Sequence, residues 1–288
     1  MKIAFEGHVP VPHDRLMEQV SLARGLGLPF VREVEPHGRR LAVVGGGPSI
    51  VEHVEEIRQF TDVWAINGAC GFLRERGIES VLVSLDPIEA LAQRVVGARR
   101  AILSTRCHPK VFEVLAGCEI QIFDVLQDAV PGAERGVWGS VSTVMSVFDL
   151  APLMGYRDAV FYGCEGSYRE TTHAYMNDPE CDDYRFVVAC GGREYLTAPD
   201  LYSQSLQLSK LMRFTHDRFK DRSGGLLSAF IAERMKVEIH KSMEIVPEHD
   251  IVMISRKLMA GLTPDNETTA KLQAEAMNNE RDLRVAAT

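Results

Sequence analysis

Three side chains in this sequence have the chemistry to move a proton or meet charge at a ligand: Asp86, Glu165 and His173. Asp86 stands in "VSLDP", at the end of an apolar run and just before a proline. A carboxylate there either caps the following helix or holds a metal ion or a hydroxyl. Glu165 stands in "AVFYGCEGSY", between Cys164 and Gly166. Packing does not explain a carboxylate at the end of an apolar strand, so substrate or metal is its expected partner. His173 follows in a polar stretch. It is an acid or base if that stretch closes over a site, and an ordinary surface histidine if it does not.

The stretch "LAVVGGGPSI" offers a place for an anion. Leu41 to Val44 are short, apolar and β-branch-rich, which predicts a buried strand. Gly45, Gly46 and Gly47 then remove every side chain, so a ligand can approach the backbone. Pro48 suits the first turn of a helix. Ser49 opens "SIVEHVEEIRQF", in which Ile50, Val54 and Ile57 share one face. Free N–H groups at that helix start suit a phosphate or a carboxylate. A tight strand–helix turn with no ligand is the competing reading. The run is neither G-x-G-x-x-G nor a P-loop, since no Lys follows it.

These residues need elements to position them. Short apolar segments alternate with helical patterns from residue 41 onward. The strands are "LAVVG", "DVWAING", "ESVLVSLDP", "RAILST", "EIQIFDV" and "DAVFYGCEGSY". The pattern predicts an α/β, Rossmann-like fold, with a mostly parallel sheet flanked by helices. In such sheets ligands bind outside the carboxyl ends of the strands. That rule adds Asn67 and Gly68, Arg106 with His108, Ser140 with Ser142 and Thr143, and Gly163. Asn67 either makes a tight turn beside Gly68 or contacts the ligand through its amide. Arg106 either meets phosphate or is a surface residue. Ser140, Ser142 and Thr143 either cap the next helix or offer hydroxyls to phosphate. No serine has a G-x-S-x-G setting, so no hydrolase triad emerges.

Residues 1–40 read as a preface containing one helix, 41–200 as the nucleotide-binding core, and 201–288 as a mainly helical extension. Within the last part, "PDLYSQSLQLSKLMRFTHDRF" predicts a helix with Leu201, Leu208, Leu211, Thr215 and Phe219 on one stripe. The 288 residues are 45% hydrophobic, enough for a full core. The formal net charge of −8 argues against a non-specific nucleic-acid binder. No apolar run is long enough to span a bilayer, and the start lacks a secretory signal pattern. The six cysteines include no C-x-x-C pair, so reduced thiols in a cytoplasmic protein are expected.

The ordered set "VVGGGPSI", "WAINGA", "VSLDP" and "GSVSTVMSVFDLAPLMGYRDAVFYGCEGSY" resembles one protein group. It is that of the archaeal 6-hydroxymethylpterin diphosphokinases and the bacterial flagellin-modifying accessory glycosyltransferases. Rossmann-like bacterial sialyltransferases are more remotely similar. The likeness spans about residues 41–168. It implies a nucleotide-phosphate turn at Gly45, Gly47, Pro48 and Ser49, with Asn67 on nucleotide or phosphate. It implies Asp86 facing the reacting phosphates or their Mg²⁺, and Gly163 and Glu165 lining the base or sugar side. The group often has Asp where this chain has Glu165, and no counterpart of the sialyltransferase base histidine follows "YRFVVACGG".

Three functions are therefore expected, in order. The first is glycosyl transfer from a nucleotide sugar to a hydroxyl of a small molecule or glycan. The second is ATP-dependent diphosphate transfer to a pterin-like alcohol, with Mg²⁺ at Asp86 and Arg106 meeting the transferring charge. The third is a non-catalytic nucleotide-binding or assembly protein. The C-terminal helices are the expected contact of a homo-oligomer.

Overall fold

The computed structural model describes residues 11–128, 136–138, 142–169, 173–174, 185–215 and 217–233. A helix α1 (His13–Gly25) precedes the alternating series. That series runs β1 (Leu41–Val44), α2 (Ile50–Ile57), β2 (Asp62–Ile66), α3 (Ala69–Glu75), β3 (Val81–Ser84), α4 (Leu91–Arg94), β4 (Arg100–Ser104), α5 (Pro109–Val114) and β5 (Glu119–Val125). Then come β6 (Gly136–Val137), α6 (Thr143–Leu153) and β7 (Ala159–Tyr162). A hairpin of β8 (Phe186–Cys190) and β9 (Arg193–Thr197) leads to α7 (Pro199–Phe214), β10 (Phe219–Asp221) and α8 (Gly225–Ala232).

The strands form an eight-stranded sheet in the order β10-β7-β1-β2-β3-β4-β5-β6. Every pairing in it is parallel. This is the α/β, Rossmann-like sheet that the alternating pattern predicts. All four residues of β1 are buried, because both faces of the sheet are covered. Ala42 and Val44 pack with Ile50, Ile57 and Phe72 on one face. Leu41 and Val43 pack with Val147, Leu208 and Leu227 on the other. The chain winds from β1 through β5 in one direction, then returns to place β7 on the other side of β1. The switch point of the sheet is thus the crevice between β1 and β7.

One expectation changes. The predicted helix over 199–219 ends at Phe214, and Phe219 lies in β10 beside β7. Phe219 meets Phe148 and Phe161 edge-on, with ring centroids 4.6 and 5.9 Å apart, which gives the outer side of β7 an apolar partner. Residues 219–221 therefore extend the sheet rather than the helix. The N-terminal segment also packs on the core. Gln19 donates to the Pro87 carbonyl, and Phe30 bridges to Ile122.

Ser140, the stretch "DIVMISRKLMAG" and the tail from Thr263 lie outside the described residues, as does most of the polar stretch 171–183. No helix among the described residues is long and apolar enough to cross a membrane. The five cysteines among them are all unpaired thiols.

Candidate ligand site at the β1–β7 switch point

A cavity of about 600 Å³ opens at the carboxyl edge of the sheet. That size is ordinary for a small-molecule site. Its wall brings together Gly45, Gly46, Gly47, Pro48 and Gly163 from the switch point, and Asn67, Asp86 and Arg106 from the neighbouring strand ends. Glu165 and His173 reach the same wall. Ser49 and Gly68 do not. Ser49 is buried behind the turn. Gly68 stands before α3 with ordinary helical angles, φ −67° and ψ −10°, so its backbone conformation does not require glycine.

Main-chain bonding shows what the glycine turn has left to offer. The Gly45 N–H donates to the Tyr162 carbonyl at 2.7 Å, and the Gly47 N–H to the Gly163 carbonyl at 2.9 Å. The Ser49 N–H donates to Glu165 Oε1. Only the Gly46 N–H has no partner among the described residues. Its carbonyl accepts from Ala174 at 3.0 Å, which lays the chain next to His173 over the turn. The glycines serve close packing first. A Cβ on Gly45 would run into the Gly163 carbonyl, and one on Gly47 into the Glu165 carboxylate.

Glu165 is 1% exposed. Leu227 at the start of α8 donates to its carbonyl at 2.9 Å. Gly225 has φ +63°, and a Cβ there would lie 2.6 Å from Glu165 Cβ. The residue is thus held between the starts of α2 and α8. Its Oε2 is buried with no hydrogen-bond partner, and so is the Ser49 hydroxyl. Burial raises the Glu165 carboxyl pKa, opposed chiefly by Ser49.

Asn67 is in the left-handed region at φ 50°, a conformation Asn tolerates better than most residues. Its side chain is oriented by two hydroxyls. Ser84 Oγ accepts the Asp86 N–H at 3.1 Å, and Thr143 Oγ1 accepts the Leu85 N–H at 3.2 Å. Each hydroxyl then gives its own proton to Asn67 Oδ1, at 2.7 Å from Ser84 and more weakly at 3.5 Å from Thr143. With Oδ1 on the two hydroxyls, the NH₂ end faces the other way. The NH₂ end takes no partner among the described residues.

Asp86 folds its own loop. Its Oδ1 accepts the Ile88 N–H at 3.2 Å and turns the chain around Pro87. It does not cap α4, whose N-cap position is Ala90. Burial raises its pKa, against the Ile88 N–H and the charge of Arg94. Arg106 is not the surface residue of one reading. It is buried, and its guanidinium forks onto Asp128, with Nε 2.6 Å from Oδ2. Burial also raises the Cys164 thiol, so the sulfur at the wall is a poor nucleophile.

Sequence reasoning missed Ser84 and the α7 side of the cavity, where Asp200 and Gln204 reach the wall. The signal was available there, since two polar residues four apart share a helix face. Ser84 gave none, being a buried hydroxyl inside an apolar strand. Among the described residues, no three His, Cys, Asp or Glu side chains are grouped to hold a metal ion. The donor set does not gather around Asp86, and no step is assigned to Mg²⁺.

The fold and site define a parallel α/β protein with an open cavity at its switch point. No family model matches the chain, and no curated protein matches it. Among solved structures, that of a mammalian sialyltransferase is similar at 13% identity and a TM-score of 0.37. That match covers 75% of this chain and 80% of the other. A match this remote does not transfer an activity.

Proposed function

We propose that this chain is a transferase that takes a nucleotide sugar and passes its glycosyl group to a hydroxyl of a small molecule or glycan. One observation carries the reading. The switch-point cavity keeps a small set of unspent polar groups of both kinds: donors at Gly46 N–H and Asn67 NH₂, and an acceptor at Asp86. Such a wall suits a ligand with few phosphates and many hydroxyls. A triphosphate is less well served, because Arg106, the arginine at the wall, is already neutralised by Asp128. Diphosphate transfer from ATP is therefore the weaker reading.

In the transfer, the bond between the sugar carbon and the phosphate oxygen breaks, and its electron pair leaves with the nucleotide. The acceptor oxygen forms the new bond to that carbon and gives up its proton. Asp86 is the proposed base, since one oxygen turns its loop while the carboxylate reaches the cavity. His173, held over the glycine turn through Ala174, is the proposed proton donor to the leaving phosphate. The rest of the site orients the pair.

Nucleotide release from UDP-, GDP- and CMP-linked sugars tests this. Asp86→Asn keeps the acceptor oxygen for Ile88 and should lower turnover by roughly 100-fold or more while binding persists. Turnover near wild type removes Asp86 from the chemistry. Binding without turnover on every donor and acceptor favours the non-catalytic reading.

A further inference from the structure

The cavity has two unlike sides. The strand-end side carries Gly46 N–H, Asn67 NH₂ and Asp86. The α7 side brings Leu201 and Leu208 to the wall, with the amide of Gln204 between them. Gln204 stands three residues after Leu201 and four before Leu208, so the three share one helix face. It is half-buried and takes no hydrogen-bond partner among the described residues. Asp200, one turn nearer the start of α7, is exposed and can be satisfied by water. We propose that Gln204 reads the edge of the nucleobase, with Leu201 and Leu208 against the ring, while the phosphate keeps to the strand ends.

A carboxamide presents an acceptor and an NH₂ donor in one plane, and so does the edge of a base. The leucines to either side suit an apolar ring and keep water from competing for the amide. A phosphate fits this side poorly, since two leucines and a neutral amide bring it no charge. The helix that carries Gln204 is fixed against the end of β7. Just before α7, the Thr197 hydroxyl donates to the Gly166 carbonyl at 2.7 Å. Gly166 has φ +63°, and a Cβ there would run into Ser205 Oγ, so its missing side chain lets α7 come this close. A reader on a fixed backbone discriminates, because a base with the wrong edge leaves the amide unsatisfied. The inference rests on the nucleotide reading of the site.

The test is calorimetry on the full chain with AMP, GMP, CMP and UMP, and with ribose 5-phosphate, which keeps the sugar and phosphate but has no base. The wild type should bind the best of the four nucleotides roughly tenfold more tightly than the worst, and more tightly still than ribose 5-phosphate. Gln204→Met keeps the length and the helix propensity and removes the hydrogen-bonding groups. It should bring the four nucleotides to within about threefold of one another and leave ribose 5-phosphate unchanged. Gln204→Glu keeps acceptors and loses the donors, and should change the order of preference. The Glu variant carries the test should the Met variant fail to fold. A variant that keeps the wild-type order and spread overturns the proposal. So does an equal loss on nucleotides and ribose 5-phosphate, which would move Gln204 to the sugar or the phosphate. A wild type that binds all four nucleotides equally overturns this inference and leaves the nucleotide reading standing. Binding of no nucleotide at all overturns both.

Discussion

At the β4–β5 end of the sheet, Asp124 takes both Arg24 and the Thr105 hydroxyl, and Asp128 takes a two-pronged fork from Arg106. At the β1–β7 crevice, Glu165 takes one main-chain N–H and keeps a buried oxygen unsatisfied. Asn67 keeps its NH₂, and Gly46 its N–H. Both regions bury charge along one carboxyl edge. The first closes its polar groups on each other, so its charges hold the fold. The second leaves donors and acceptors over, at a stability cost that a ligand can offset. Polar residues at the end of a strand thus signal function when their bonding is incomplete, not merely when they are buried.

The largest effect should come from breaking the closed region. Arg106→Met leaves Asp128 buried without its partner and should cost about 3–5 kcal/mol of stability. Urea denaturation measures it. Adding Asp128→Leu should recover much of the loss, as expected of a structural pair. A stable Arg106→Met that instead loses nucleotide affinity would move Arg106 into the site.

Asn67→Asp should act in the opposite way. It keeps the acceptor for Ser84 and Thr143 and tolerates the same backbone angles, but it turns the cavity donor into an oxygen. Nucleotide binding should weaken by about 2 kcal/mol, roughly 30-fold, with little change in unfolding. Titration calorimetry checks this, and equal affinity would remove Asn67 from the phosphate.

Gly47→Ala sharpens the comparison by forcing Glu165 out of place. Overpacking there should cost about 1–3 kcal/mol in thermal unfolding. Combining it with Glu165→Ala should cost less than the two changes summed, since the clash partner is gone. Strict additivity would show that the turn and the carboxylate are independent.

The smallest effect concerns pH. Burial raises the Glu165 carboxyl pKa, so the folded chain holds that proton more tightly than the unfolded chain does. The resulting stability is present below the unfolded pKa and lost as pH rises through the folded one. Glu165→Gln deletes this titration. Its ligand-free stability should vary less from acid to neutral pH, and at neutral pH it should exceed the wild type by about 1 kcal/mol. Parallel slopes for the two proteins would contradict the raised pKa.

Strand–helix alternation made the sheet legible, because short apolar runs such as "LAVV" recur between helical patterns. The carboxyl-end rule then chose residues that do meet at one cavity, among them Gly47, Asn67, Asp86 and Glu165. Long-range pairing was not legible. Nothing near Arg106 announces Asp128, 22 residues away. Nothing near Gly47 announces that its missing side chain makes room for Glu165. Phe219 read as helix because a three-residue strand carries too little periodicity to be seen, and its place beside β7 is decided by tertiary packing. Composition shows that an anion could be met at a glycine turn. Only the three-dimensional bonding shows that the chain meets it with its own carboxylate.

We propose that the open β1–β7 crevice binds a nucleotide through groups the fold leaves unspent. The most direct measurement is thermal unfolding of the wild type and Asn67→Asp over a concentration series of each nucleotide, with and without Mg²⁺. A ligand that binds the folded state raises its stability with the logarithm of concentration, by about 2.7 kcal/mol at 100 times Kd. The wild type should show this rise with at least one nucleotide, and Asn67→Asp should show it only at concentrations roughly 30-fold higher. No rise with any nucleotide, or identical curves for the two proteins, would contradict the account.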